Sequence, residues 1–305
     1  MRDRRAVLAL AGAAFFWSGN FVAGRALRTD IDPATLNLLR WSLSLALLLP
    51  WVGQKAWRSR RAIGRHWRLL VALGATGIAA FHTLVYVALR DSSAIDALLM
   101  LSLTPVAILG ASALSGDARP TASQWAGSAA SLLGAAILLT HGEPARWAKL
   151  GMTQGTLCML LAVMLWAAYT LCLRRRPREL AHDVLFAASI VPAVVLLLGW
   201  VALTPHPPPF AMTARLAGSL AYFVVFASLA GFLLWSYGVA AIGPERAGLF
   251  VNLMPLFGAV QAIALLGETL RPSHLGGALC VLAGIAVVGT ERQGAVAPAV
   301  EAARP

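Results

Sequence analysis

A chain of 305 residues that is 59% hydrophobic and only 12% charged has too few polar side chains to coat a water-soluble globule. Its mean hydropathy of +0.72 places it in a lipid bilayer. The net charge of +12 would suit nucleic acid, but the basic residues sit between apolar runs and form no aromatic-interleaved face, which excludes that partner.

The chain opens on MRDRR and an apolar run from Ala6 to Leu27. That run exceeds the roughly 7–15 residues of a signal-peptide core, so it reads as a first membrane span rather than a leader. A span needs about 20 mostly apolar residues, and the sequence predicts ten: 6–26, 34–52, 68–89, 93–115, 122–140, 152–173, 183–204, 214–239, 246–266 and 273–290. The connections are short except for a basic segment at 53–67, read as topogenic and lipid-facing, and a proline-rich one at 205–210. Residues 292–305 read as an Ala/Pro-rich disordered tail.

With the N-terminus placed in the cytoplasm, 17 of the 25 Lys and Arg residues fall on that side and 7 on the other, with Arg40 inside a span. This bias predicts a multi-pass protein of the plasma (inner) membrane with both termini cytoplasmic.

The fourth span and its surroundings, Asp91–Pro120, recur in diverged form at Gly243–Pro272. Each copy has a polar entry, a proline near the middle (Pro105, Pro255) and a glycine-carboxylate exit (Gly116-Asp117, Gly267-Glu268). Further pairs keep offsets of 149–151: Trp17 with Trp166, Tyr86 with Tyr237, Gly127 with Gly277 and Gly134 with Gly284. Five spans per copy is an odd number, so the second copy, 150–291, is expected upside down relative to the first, 1–141. Proline-interrupted apolar segments at matching places in two halves point to a transporter's binding site.

WSGNF (Trp17–Phe21), LLRW (Leu38–Trp41), YVALRDSSA (Tyr86–Ala94), LTP (Leu103–Pro105), QWAG (Gln124–Gly127) and GE (Gly267-Glu268) occur in this order. With them the chain resembles the EamA branch of the drug/metabolite transporter superfamily over roughly residues 6–290. The resemblance implies an all-α membrane protein of ten helices in two inverted repeats. Spans 1, 3, 4, 6, 8 and 9 would surround a central cavity, with spans 5 and 10 peripheral. Asp96 departs from the small neutral residue usual there, as does Arg246 in the equivalent register of the second copy.

Helix rise places Asn20, Arg40, His82 and Asp96 roughly 5–10 Å below one membrane surface, where they are expected to form one polar cluster. Arg40 is either a clamp for a substrate carboxylate or phosphate, or a side chain that snorkels to the interface or pairs structurally with Asp96. Asp96 is either a proton carrier or a charge at a helix start, and His82 either a second proton-coupling group or a hydrogen-bonded core residue. The substrate-binding set adds Trp17, Tyr86 and Met100 in the first copy and Trp166, Tyr169, Tyr237 and Asn252 in the second. The aromatic members are able to line or gate a cavity, or simply to pack.

Small residues every four positions on spans 5 and 10 (Gly127, Ser131, Ala135; Gly276, Cys280, Gly284) favour close helix packing within the chain, with a homodimer contact as the minority reading. Cys158, Cys172 and Cys280 lie in apolar runs without ligand spacing, so neither metal nor cofactor is expected. No HExxH, nucleophile elbow or phosphate-cradling loop stands out, and the chain is not read as an enzyme. The expectation is a secondary transporter, an exporter of amino acids or related amphipathic compounds exchanged for protons. The alternatives are a nucleotide-sugar or phosphate-ester carrier of the same fold, or a non-transporting membrane subunit or sensor.

Overall fold

The computed structural model describes residues 2–114, 121–139, 143, 153–204, 209–242 and 249–291. Among these the chain is entirely helical. The first half contains α1 (Arg2–Ala26), α2 (Pro33–Arg58), α3 (Arg60–Arg65), α4 (Trp67–Leu73), α5 (Phe81–Asp91), α6 (Ala94–Leu101), α7 (Thr104–Leu114) and α8 (Ala122–Leu139). The second contains α9 (Gln154–Arg174), α10 (His182–Leu203), α11 (Ala214–Tyr222), α12 (Gly231–Ile242), α13 (Leu253–Leu266) and α14 (Pro272–Glu291). Seven stretches of the described residues are long and apolar enough to cross a membrane: Arg4–Ala26, Pro33–Arg58, Trp67–Asp91, Ala94–Ala111, Gln154–Leu173, His182–Leu203 and Ala214–Trp235.

Helix starts follow the local chemistry. Asp32 accepts from the backbone N–H groups of Ala34 (3.0 Å) and Thr35 (3.1 Å), and Pro33 takes the first helical position, where its missing N–H is harmless. Ser93, Thr153 and Thr213 cap α6, α9 and α11 with their hydroxyls. The interruption expected at Pro105 falls just before it, at Ser102–Leu103, so that Pro105 occupies the second position of α7. Pro255 likewise sits in the first turn of α13, after a 3₁₀ turn at Leu249–Asn252. The basic segment expected as a connection is helical: α2 continues to Arg58 and α3 follows at once. Gly116, Asp117, Arg119, the GPER segment with Arg246, and the tail 292–305 lie outside the described residues.

Two π-helical segments, Gly74–Ala80 and Phe223–Ala230, join α4 to α5 and α11 to α12, and they begin 149 residues apart. A π turn widens the helix and releases carbonyls from the regular ladder. In the first segment Asn37, fully buried in α2, donates through Nδ2 to the carbonyls of Ile78 (3.1 Å) and Ala79 (3.0 Å) and to Thr83 Oγ1 (3.0 Å). In the second the indole of Trp17 donates to the Ala227 carbonyl at 3.0 Å. The wide turn also brings the backbone close to neighbours: at Gly77 a Cβ would collide with the ring of Tyr169.

α1 runs through the middle of the bundle, touching α5 and α6 of the first half and α12, α13 and the second π segment of the other. α2 packs on α10, α5 on α9, and α8 along α14. The largest core cluster spans both halves and includes Phe21, Leu98, Met159 and Phe223. At one end Lys55 meets Asp183 (2.7 Å), and Glu179 meets Arg65 (3.4 Å) and His66 (2.7 Å), so the basic segment and the connection after α9 lie together. Elsewhere Arg215 pairs with Asp30 (2.6 Å) and Arg90 with Asp32 (3.8 Å).

Asn37→Ala is expected to lower the unfolding free energy by about 1–3 kcal/mol, because it leaves buried carbonyls unpaired. Thermal or denaturant unfolding in detergent checks this, and an unchanged midpoint would show that the π segment needs no such donor.

Candidate functional site

Arg40 enters the bundle interior from the first third of α2 and is 2% exposed. Its Nη1 donates to Asn20 Oδ1 at 2.7 Å and to the Tyr86 hydroxyl at 2.9 Å, and that hydroxyl donates onward to Asn20 at 3.0 Å. Its Nε donates to Ser228 Oγ at 3.2 Å. Asn20 and Tyr86 come from α1 and α5, and Ser228 from the second π segment, so both halves meet on one guanidinium. The ring of Trp41 lies 4.8 Å and that of Phe223 5.6 Å from Arg40 Cζ, within cation–π range.

All of these partners are neutral. Among the described residues no carboxylate lies within ion-pair distance of Arg40, and Nη2 makes no hydrogen bond. A guanidinium at the centre of a span costs about 2–3 kcal/mol on insertion scales. Charge-assisted hydrogen bonds, each contributing about 1.5–3 kcal/mol, offset that cost without neutralising the charge. The arrangement leaves the positive charge uncancelled, with Nη2 making no hydrogen bond to the described residues. Asn20, Tyr86 and Ser228 are each buried, so the described side chains close this part of the seam where an open central cavity was expected.

Aromatic rings lead away from the arginine in an unbroken series. His82 lies 5.3 Å from Trp41, Phe81 4.9 Å from His82, Trp166 4.8 Å from Phe81, and Tyr169 5.1 Å from Trp166. His82 Nδ1 is also 3.3 Å from the Ile78 carbonyl of the first π segment. Thus Arg40, Asn20, Tyr86, His82, Trp166 and Tyr169 belong to one connected constellation. Trp17 borders it by bonding to the same π segment that carries Ser228, and its ring lies 5.2 Å from Trp235.

Asp96 does not join the cluster. It is the third residue of α6, and its carboxylate turns back to the helix start, accepting from Ser93 Oγ at 2.7 Å while His274 Nε2 of α14 approaches to 3.1 Å. A carboxylate there favours the positive end of the helix, so neither the pair with Arg40 nor the single cluster of four is formed. Met100 is buried in the main core among Leu98, Leu99 and Leu103. Tyr237 is 46% exposed and does not reproduce the place of its repeat partner Tyr86. The side chain of Asn252 lies outside the described residues, as does that of Pro105.

A second polar pocket, about 230 Å³, is lined by Ser93, Asp96, Glu268, Arg271 and His274. Gly267 ends the α13 stretch at φ +67°, a conformation open to glycine. That turn aims Glu268 across to the other half, where its two oxygens accept from the backbone N–H groups of Ala94 (2.9 Å) and Ile95 (3.2 Å). Ser228, Phe81, Phe223 and His274 were not singled out from the sequence, and Trp41 was marked only as the end of the LLRW motif. The signal available for Ser228 was a lone polar residue in an apolar run, in FVVFASLA.

Comparison with known proteins is consistent with this architecture. A family model described as the EamA-like transporter family matches the chain twice, over residues 4–140 and 153–290. An uncharacterized transporter of Archaeoglobus fulgidus is 23% identical over 86% of this chain and 89% of its own. A probable terminal-alkyne amino-acid exporter of Streptantibioticus cattleyicolor is 28% identical over 96% of both chains. A solved crystal structure of a protein 17% identical in sequence superposes with a TM-score of 0.63 over 96% of this chain and 99% of that one, which shows a shared fold.

Glu268→Ala is expected to expose the amides of Ala94 and Ile95 and to cost about 0.5–2 kcal/mol, as for other lost N-caps, while Glu268→Gln retains part of the contact. Hydrogen exchange at the start of α6 measures it, and equal protection in both variants would contradict the cap.

Proposed function

Because the chain belongs to the EamA-like transporter family, a multi-pass membrane family, we propose that it is a secondary active transporter that exports amino acids or closely related carboxylates. The observation that carries this reading is Arg40, a buried cation held only by neutral groups from both halves, with one guanidinium nitrogen free among the described residues. A planar guanidinium binds a carboxylate through two parallel N–H bonds, which gives orientation as well as affinity. The aromatic series beyond it suits the apolar remainder of an amphipathic substrate. The relative from Streptantibioticus cattleyicolor, named as a probable exporter of an amino acid, supports the same substrate class. A phosphate-ester substrate is less well served, since no second cation joins Arg40 among its hydrogen-bonded partners.

The proposed architecture is two inverted five-helix repeats, 1–141 and 150–291, with both termini in the cytoplasm and transport by alternating access. The two π segments 149 residues apart support the internal repeat. In this mechanism a substrate carboxylate takes up Arg40 Nη2 and displaces one of the neutral partners. Tyr86 and Asn20 then remain on the first half, while Ser228 is free to move with the second. Proton coupling is assigned first to Asp96, whose carboxylate faces His274 at 3.1 Å across the two halves. His82 is the second assignment, one ring removed from Arg40.

Counterflow in proteoliposomes tests the proposal. Arg40→Ala is expected to reduce amino-acid exchange at least tenfold. Arg40→Lys is expected to recover little, because a single ammonium replaces the fork. Asp96→Asn is expected to flatten the pH dependence of uptake while leaving exchange in place. Undiminished counterflow in Arg40→Ala, or no saturable counterflow of any amino acid, would overturn the assignment.

A further inference from the structure

An apolar groove of about 560 Å³, unrelated to Arg40, lies on the outside of the bundle between α2, α3, α4 and α10. Leu49, Gly53, Gly64, Trp67, Val191 and Val195 are among its lining residues, and the lining is almost wholly hydrocarbon. Its α2 wall runs from Leu45 to Ala56, a rise of about 17 Å, close to half of a bilayer hydrocarbon core about 30 Å thick. The groove therefore has the length of one leaflet. Its volume lies within the roughly 300–1,000 Å³ of small-ligand sites.

The α3 end of the groove adjoins a basic segment of the chain. Ile63 and Gly64 of α3 close it there, within the same segment as the exposed Arg58, Arg60, Arg61 and Arg68. Lys55 and Arg65 are engaged by Asp183 and Glu179, but among the described residues none of these four arginines has a carboxylate partner. Arg60 sits over the ring of Trp57 at 5.0 Å and Arg68 over that of Trp67 at 5.6 Å. Both tryptophans are more than half exposed, as amphipathic rings at a headgroup layer are. The pocket glycines matter as well: a Cβ added at Gly53 or Gly64 would meet nothing within 4 Å, so the space is open rather than reserved for another part of the chain.

We propose that this groove is a binding site for one anionic phospholipid, its acyl chain lying between α2 and α10 and its phosphate held by Arg58, Arg60, Arg61 and Arg68. A headgroup-depth cluster of arginines joined to a leaflet-length apolar channel matches such a lipid at both ends. A zwitterionic lipid would satisfy only the channel. The inference stands apart from the transport reading and survives its failure.

Native mass spectrometry and thermal unfolding of the detergent-purified full chain, titrated with phosphatidylglycerol or with phosphatidylcholine of the same acyl chains, test it. Phosphatidylglycerol is expected to be retained and to raise the melting temperature more than phosphatidylcholine does. The double variant Gly53→Leu, Gly64→Leu fills the groove and is expected to weaken phosphatidylglycerol binding at least tenfold while leaving lipid-free stability unchanged or higher. The triple variant Arg58→Gln, Arg60→Gln, Arg61→Gln is expected to erase the headgroup preference, a loss of about a hundredfold at about fivefold per charge. Four results would each overturn the proposal: equal binding of both lipids; binding indifferent to groove filling; displacement of phosphatidylglycerol by soluble glycerol phosphate or by an amino acid; or a change in oligomeric mass on groove filling, which would identify a second copy as the occupant.

Discussion

The structure depends on the buried charge of Arg40. Arg40 is held by Asn20 and Tyr86 from one half of the chain and by Ser228 from the other, so the cost of hiding a guanidinium is spread over groups that need not move together. A carboxylate partner would have locked the halves with a strong pair. Neutral acceptors leave the charge solvated but not cancelled, which is the state an incoming anion can exploit.

The two π segments give this arrangement its geometry. A regular α-helix at Gly74–Ala80 would consume the carbonyls that Asn37 now caps, and one at Phe223–Ala230 would consume the carbonyl that Trp17 uses. The wider turns convert backbone atoms into contacts between helices, and the second of them also carries Ser228 to the arginine. Their matched spacing shows the two halves using one device, although the chemistry attached to it has diverged: Tyr86 bonds to Arg40, while its counterpart Tyr237 faces outward.

Much of this was legible in the sequence, and the rest was not for identifiable reasons. Apolar runs located the helices, because length and hydropathy are local properties. The shared depth of Asn20 and Arg40 followed from helix rise, and the two do meet, with Tyr86 joining them. Asp96 misled because depth does not fix direction: at the third position of α6 its own helix start and Ser93 are nearer than any distant arginine. The π segments were invisible, since GATGIAA and FVVFASLA read as ordinary apolar helix. The order of the aromatic series was hidden too, since its members come from three helices, α2, α5 and α9, and meet only when packed. The basic segment was read as a connection because charge interrupts hydropathy, yet Arg and Lys are good helix formers, and α2 runs into it as far as Arg58 before α3 takes over.

The bundle is fastened unequally at its two ends. Near α6 the tie is a carboxylate gripping two backbone amides from a partly buried position, with directed bonds that little salt can reach. At the opposite end Lys55 with Asp183 and Arg65 with Glu179 join the same two halves through side chains that stand largely in the aqueous phase. Pairs of that kind contribute about 0–1 kcal/mol and fade with ionic strength. The two ties therefore answer salt differently, the exposed pairs weakening while the amide cap holds, and at the second end the buried cluster of Val52, Leu70, Leu73, Val184 and Leu185 carries the join.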